Sequence, residues 1–435
     1  MIYKRKDYSN YVNELFENDT GISVCRNVTL QITNQCNLRC SYCYEHNKKC
    51  GSMDIYTAKK CIDILLDMYE NNTEFIGKHS KGLIIDFIGG EPLLEAKLIE
   101  DTCDYYFQEC INRNIPLAPF TRFSFATNGL LWFTPDVQHL FKKYHDFISC
   151  TVSIDGIQEL HDKYRIDQYG NGSFEKAYKA FLDGKKKYGW TQSKMTFTPG
   201  SIKYITPSIK MMVENGCNDI LCNFAYEPKY TIEDAKNIYF ELKKTSDYLI
   251  DNKLSNYVSI LDDFIGNFDN TTDNYCGGTG KMLSFAVDGK AYPCIRYMPI
   301  SIGDKKASKI CIGDCFHGIY KTDEEKKIKE DFDKITRKSQ SPEKCMSCPI
   351  STGCGWCSGY NYELYGTANK RSINICWSHK GRVLASCYYY SKRHIKIGDV
   401  DAKKINLPYE EAVEILGKEE ADYLFNLEKQ AFNKE

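Results

Sequence analysis

The sequence predicts an α/β fold: a partial (β/α)6 barrel followed by a small domain held together by metal rather than by a large apolar core. Three observations carry this. Short apolar runs alternate with amphipathic stretches from about residue 27 to residue 240. Six strand–helix units in series need crossover helices, and therefore imply a parallel sheet. Cysteines and glycines then crowd the stretch between Cys276 and Cys376, where long periodic segments are few.

Strands are expected at residues 30–33, 83–88, 122–127, 147–154, 194–198 and 219–224. Of the helices between them, 58–69 is the clearest, with Cys61, Ile62, Leu65, Leu66 and Tyr69 on one stripe. Six units fall short of an eight-unit barrel, so one side is expected to stay open. Residues 231–253 read as one long helix and 406–435 as two short amphipathic ones. The expected organisation is an N-terminal arm (1–24), the barrel (25–240), a helical linker (241–275), an auxiliary metal domain (276–390) and a helical tail (391–435).

Composition narrows the function. With 57 basic and 58 acidic residues the net charge is -1, which argues against a nucleic-acid or membrane surface. No apolar run approaches the roughly 18 residues of a membrane span. The start, MIYKRKDYSN, lacks the apolar core of an export signal. The chain has 21 cysteines, an odd number. Without an export signal, they point to metal or redox chemistry in a reducing cytoplasm rather than to a disulfide scaffold.

Cys36, Cys40 and Cys43 (CNLRCSYC) follow the first strand, on a loop at its C-terminal end, the edge where α/β folds place their chemistry. Thiolates are soft ligands that suit iron–sulfur clusters or zinc. Three of them on a four-iron cluster leave one iron open to a small chelating molecule. A zinc site with His46 as fourth ligand is the bland alternative, and Cys50, seven residues beyond Cys43, would close the site.

Further motifs fall at successive strand ends. Gly89, Gly90, Glu91 and Pro92 end the second strand, Thr127, Asn128 and Gly129 the third, and Ser153, Ile154, Asp155 and Gly156 the fourth, with HDKYR at 161–165. As a set, with Tyr42 before the third cysteine, they resemble the radical S-adenosylmethionine (SAM) enzyme family. The resemblance implies a SAM-binding 4Fe–4S cluster on Cys36, Cys40 and Cys43. Gly90 and Glu91 would meet the methionine amino group of SAM, Arg165 and Ser153 its carboxylate, and Tyr42 its adenine. The glycines would let the backbone approach the ligand, and an arginine gives a charge-assisted bond. By the same resemblance, SAM is cleaved reductively to a 5′-deoxyadenosyl radical that abstracts hydrogen from carbon; the cofactor carries that chemistry.

A second constellation comprises Cys276 and Cys294, flanking a hairpin signal at Asp288 and Gly289, then Cys345, Cys348, Cys354, Cys357 and Cys376. Seven cysteines exceed one tetrahedral site, so two metal centres are expected, zinc or iron–sulfur. The run CX2CX5CX2C resembles the SPASM extension of radical SAM enzymes, which carries two auxiliary 4Fe–4S clusters, making three in all. One spacing departs: the family has CX3C where this chain has Cys354-X2-Cys357. The resemblance implies an outer cluster on Cys345, Cys348, Cys354 and Cys376, and an inner one on Cys276, Cys294 and Cys357. Cys311 or Cys315 would supply a fourth inner ligand; otherwise an open iron would bind a substrate thiolate. Cys61, Cys103, Cys110, Cys150, Cys217 and Cys222 read as packing residues.

SPASM enzymes act mostly on peptides or proteins. Sulfatase-maturing members, which make formylglycine, carry an aspartate after the cysteine corresponding to Cys294; here Ile295 and then Arg296 follow. The C-terminal stretch 353–390, GCGWC to SCYYY, looks most like maturases of CXXX-repeat peptides. The expectation is a peptide maturase that forms thioether crosslinks in a cysteine-rich precursor peptide and is fed by a reductant such as flavodoxin or ferredoxin. Formylglycine formation is the alternative within the family. A non-catalytic iron–sulfur or electron-transfer protein is the alternative outside it. Only 24 residues precede Cys25, so recognition of a leader is expected from a partner, the tail helices or the barrel's open side. The sequence names no catalytic base.

Overall fold

The computed structural model describes residues 24–189, 192–262, 276–351 and 353–433. The expected arm, but for residue 24, and residues 263–275 of the expected linker lie outside them.

Six strands pair in parallel in chain order: β1 (Val24–Thr33), β2 (Ser80–Gly89), β3 (Arg122–Thr127), β4 (Ile148–Ser153), β5 (Gln192–Phe197) and β6 (Asp219–Phe224). Between them run α1 (Ile55–Glu70), α2 (Ala96–Asn112), α3 (Pro135–Lys143), α4 (Gln158–Tyr164), α5 (Phe174–Tyr188) and α6 (Ile205–Glu214); α7 (Ile232–Asp251) follows β6. The α1 stripe is buried as expected, and Asp54 caps the helix by accepting from the Thr57 amide. β1 begins at residue 24 rather than 30; the polar pair Arg26 and Asn27 interrupts its first half, which therefore shows no apolar run.

The strands bury one face and open the other. Leu83, Ile85 and Phe87 of β2, Phe123 and Phe125 of β3, Ile148, Cys150 and Val152 of β4, and Met195 and Phe197 of β5 are buried against the helices. Their neighbours in sequence, among them Asp86, Ser124, Thr151, Ser153, Lys194 and Thr196, face the barrel interior and keep solvent access. An interior lined by short and polar side chains cannot fill like that of an eight-stranded barrel packed with branched residues.

The cysteine-rich half continues the same sheet. β8 (Leu283–Phe285) pairs in parallel with β1, and β9 (Lys290–Tyr292), β10 (Gly313–Asp314) and β11 (Gly318–Ile319) add antiparallel; β7 (Tyr257–Val258) lies on β6 at the other edge. The β8–β9 turn is at the expected place, with Gly289 at φ +80°. This half also has an apolar core of its own, including Tyr292, Tyr297, Met298, Ile300 and Phe332, and so does not rest on metal ligands alone.

After α8 (Asp323–Asp333) and α9 (Ser358–Tyr365) comes a helix the sequence did not reveal, α10 (Cys376–Lys396), packed against α7 and the tail. Its glycine and clustered tyrosines and serines weaken a helical reading. Packing explains the glycine: a Cβ on Gly381 would stand 2.3 Å from the Ala235 carbonyl oxygen of α7. The two tail helices form as expected, α11 (Tyr409–Leu416) and α12 (Lys418–Phe432). Leu424 and Ala431 of α12 are buried, and Tyr239 of α7 donates to Glu420 at 2.6 Å. Among the described residues no helix is long and apolar enough to cross a membrane.

Replacing Gly381 with valine should force α10 away from α7 and cost about 1–3 kcal/mol, read as a lower denaturant midpoint with the α-helical signal retained.

Candidate active site

The loop after β1 carries Cys36, Cys40 and Cys43 to the C-terminal mouth of the barrel. All three line one cavity of about 500 Å³, together with Tyr42, Gly90, Glu91, Ser153 and Arg165. Every residue that the resemblance placed around SAM is therefore brought to one cavity. His46 and Cys50 are not among its lining residues: His46 faces Glu363 at 3.4 Å, and Cys50 is exposed.

The turn at the end of β2 is pressed onto the cysteine loop. The Gly90 amide donates to the Thr33 carbonyl at 3.1 Å and the Glu91 amide to that of Gln35 at 2.8 Å. A Cβ on Gly90 would lie 2.3 Å from the Gln35 oxygen and 2.7 Å from Cys36 Cβ. Glycine here is demanded first by the protein's own loop, rather than by room for a ligand. The buried Glu91 carboxylate accepts from Thr127 Oγ1 at 2.7 Å and from the Asn128 and Leu93 amides at 2.8 and 3.1 Å. It thereby ties the ends of β2 and β3 together while still lining the cavity. Burial pushes its pKa up, and these donors pull it back.

Arg165 sits on a built foundation. Its Nε donates to Asp155 Oδ2 at 2.8 Å, its guanidinium lies 5.6 Å from the centre of the Tyr42 ring, and Tyr42 donates its hydroxyl to the same carboxylate. Asp155 Oδ1 accepts from the Thr196 amide at 3.0 Å. His161 Nδ1 accepts from the Asp155 amide at 3.3 Å, so Nε2 carries the proton and donates to Ser173 Oγ at 2.9 Å. Ser173 in turn donates to the Arg165 carbonyl at 2.8 Å. Burial, reinforced by Arg165, pushes the His161 pKa down to about 4.

Several lining residues had no sequence signal. Lys48 donates to Cys43 Sγ at 3.1 Å and to the Glu45 carbonyl at 2.9 Å. Arg296 pairs with Glu227 at 2.9 Å and with Glu363 at 3.4 Å, and lies 4.6 Å from the Tyr44 ring centre. Lys194 enters from β5. Only Arg296 had attracted notice, as the residue after Ile295, which stands where an acid would be. The others fall on loop and lumen positions, which no periodicity marks.

The second constellation separates into two groups. Cys345, Cys348, Cys354 and Cys376 line a second cavity of about 530 Å³; Arg371 donates to Cys354 Sγ at 2.8 Å, and Arg337 to the Cys345 carbonyl at 3.0 Å. The Cys276 and Cys294 thiols stand 3.5 and 3.0 Å from where a Cβ on Gly278 would be, near enough to Cys357 for their charges to interact. Cys357 also lines the main cavity, with Ile295 and Arg296. Neither proposed fourth inner ligand joins this group: Cys311 donates to the Gly313 carbonyl at 3.3 Å, and Cys315 packs against Gly289 and Cys61. The six cysteines read as packing residues are all buried.

Among the described residues, no three His, Cys, Asp or Glu side chains converge as they would on one metal ion. Three thiols around a shared cavity, beside a backbone turn and a countercharged arginine, fit a compact iron–sulfur cluster with a small chelating ligand.

Fold and cavity thus define a domain built to hold a thiolate-bound cofactor at a barrel mouth. Residues 30–239 match the radical SAM superfamily, so this part of the chain is a radical SAM domain. The cysteine-type anaerobic sulfatase-maturating enzyme of Clostridium novyi is 30% identical over 158 residues, 33% of this chain and 36% of that one. The radical SAM cyclopropyl synthase TigE of Paramaledivibacter caminithermalis is 25% identical over 207 residues, 45% of this chain and 40% of that one. The chain thus spans about two fifths of the length of the curated relatives it matches. The solved structure of anSMEcpe with bound AdoMet and the Kp18Cys peptide superposes with a TM-score of 0.60 at 19% identity, covering 86% of this chain and 99% of that one. This likeness establishes the shared fold.

His161 is held neutral when folded, with a pKa near 4 against an ordinary 6.5. At this site the unfolded chain therefore binds more protons between these values, and the stability that His161 contributes falls as pH drops from 6.5 toward 4. A denaturant midpoint measured against pH should show that decline. His161→Gln, which keeps both hydrogen bonds, should flatten it in part. His379, pushed by burial to about 3, contributes in the same direction, whereas Glu45, pushed by burial up to about 7, contributes in the opposite one.

Proposed function

We propose that this protein is a radical SAM peptide maturase that modifies a cysteine-containing ribosomal peptide and forms thioether crosslinks, working with three 4Fe–4S clusters in a reducing cytoplasm. When bound, SAM and its reduced cluster supply a 5′-deoxyadenosyl radical that takes a hydrogen atom from carbon. The observation that carries the reading is one cavity shared by Cys36, Cys40 and Cys43 on one side and Cys357 on the other. Cys36, Cys40 and Cys43 would hold the first cluster; Cys276, Cys294 and Cys357 the inner auxiliary one; Cys345, Cys348, Cys354 and Cys376 the outer one. With no fourth cysteine beside the inner three among the described residues, that position suits a substrate thiolate.

The chain's own residues orient and shield. Glu91 and Gly90 fix the floor beside the cysteine loop, and Asp155 with Tyr42 holds Arg165 in one orientation for a carboxylate. The half-buried Tyr44 and Tyr226 wall the cavity on the auxiliary side and limit water there. Ile295 occupies the place next to Cys294 where sulfatase-maturing relatives would carry their acid, and it is followed by Arg296. The pairing of Arg296 with Glu227 and Glu363 makes that corner a salt-bridged wall, which favours the thioether reading over formylglycine formation.

Anaerobic protein given SAM and a low-potential reductant should form 5′-deoxyadenosine. Changing Cys36, Cys40 and Cys43 together to serine should abolish this and lower bound iron by about four atoms per chain. Unchanged iron would contradict the assignment. Cys357→Ala should leave peptide-independent 5′-deoxyadenosine formation within about threefold of wild type while lowering iron; full iron content would remove Cys357 from the inner site.

A further inference from the structure

Four cations line the main cavity, and three of them are matched. Arg165 lies on Asp155, Lys48 on Cys43 Sγ and the Glu45 carbonyl, and Arg296 on Glu227 and Glu363. Lys194 is different. Among the described residues, no carboxylate lies within ion-pair distance of its ammonium. The nearest influence of opposite sign is Asp86, on β2 across the barrel interior, which bonds to Ser124. The side chain keeps solvent access within the cavity instead of snorkelling to the outer surface.

Its place in the sheet is equally specific. β4 and β5 pair Ser153 with Lys194. In parallel strands such partners leave the sheet on the same face, so the ammonium and the Ser153 hydroxyl rise side by side toward the interior. An unmatched charge in a confined cavity is costly, and a bound anion offsets that cost. Arg165, already matched by Asp155, brings no net charge to an incoming carboxylate. Lys194 does.

We propose that Lys194, with Ser153 beside it, is the carboxylate anchor of this cavity and receives the methionine carboxylate of SAM as its principal countercharge. Arg165 then shapes and orients the same group without neutralising it. This assignment rests on the SAM-binding reading above and adds to it a residue that no motif marks.

The test is equilibrium binding of SAM and of decarboxylated SAM to the anaerobically reconstituted full chain. Wild type, Lys194→Met and Lys194→Arg are compared, each checked for equal iron content and thermal midpoint. Lys194→Met should weaken SAM by about tenfold or more and leave decarboxylated SAM unaffected. Lys194→Arg, which keeps the charge, should stay within about threefold of wild type. Unchanged SAM affinity in Lys194→Met would overturn the proposal and leave the cation to another anion, such as a peptide carboxylate. Equal losses for both ligands would overturn it too, showing a general effect on the cavity. Failure of the wild-type protein to bind SAM at all would instead fell the reading on which the proposal rests.

Discussion

The cavity exists because β2 to β5 bury one apolar face against the helices and leave mainly short or polar side chains, with Ile84 and Ile88 among them, on the inner face. Phe87, Phe125, Val152 and Met195 bond the sheet to its helices by burial, while Asp86, Ser124, Thr151 and Lys194 leave space on the other face. Burial of apolar area stabilises the barrel wall. The interior contributes little to that and is left to chemistry. A barrel packed inside with branched residues would be more tightly filled and would have no room for a ligand.

Charge is arranged around that space with equal economy. Asp155 serves four groups at once: Arg165, Tyr42, the Thr196 amide and, through its own backbone, His161. Glu91 ties two strand ends, and Arg296 closes the auxiliary side between two glutamates. Such networks hold a site rigid only when every member is satisfied. That makes Lys194, unmatched among the cations lining this cavity, informative, and it makes the glycine turn at residue 90, pressed on Gln35 and Cys36, a structural as well as a functional requirement.

Much of the barrel was legible because its outward faces are apolar and its helices amphipathic. β3 and β6 fall at the expected residues, and α1 buries the expected stripe. What stayed hidden has physical causes. The first half of β1 is interrupted by the polar pair Arg26 and Asn27, so it lacks an apolar run. α10 contains a glycine that serves a helix–helix contact with Ala235, which reads locally as a break. The cysteine spacings led to residues that do share cavities, because ligands close in sequence are carried on single loops. Lys48, Asp155 as a hub, Lys194 and Glu227 were not singled out, because each matters through partners distant in the chain.

The account stands on three early sulfurs leaving one iron open to SAM. Mössbauer spectroscopy of the iron-enriched protein, recorded with and without SAM, addresses this most directly. The account predicts that SAM shifts the signal of one iron of one cluster, and that the Cys36/Cys40/Cys43 variant lacks the shift. Identical spectra with and without SAM, or zinc in place of iron on those cysteines, would contradict it.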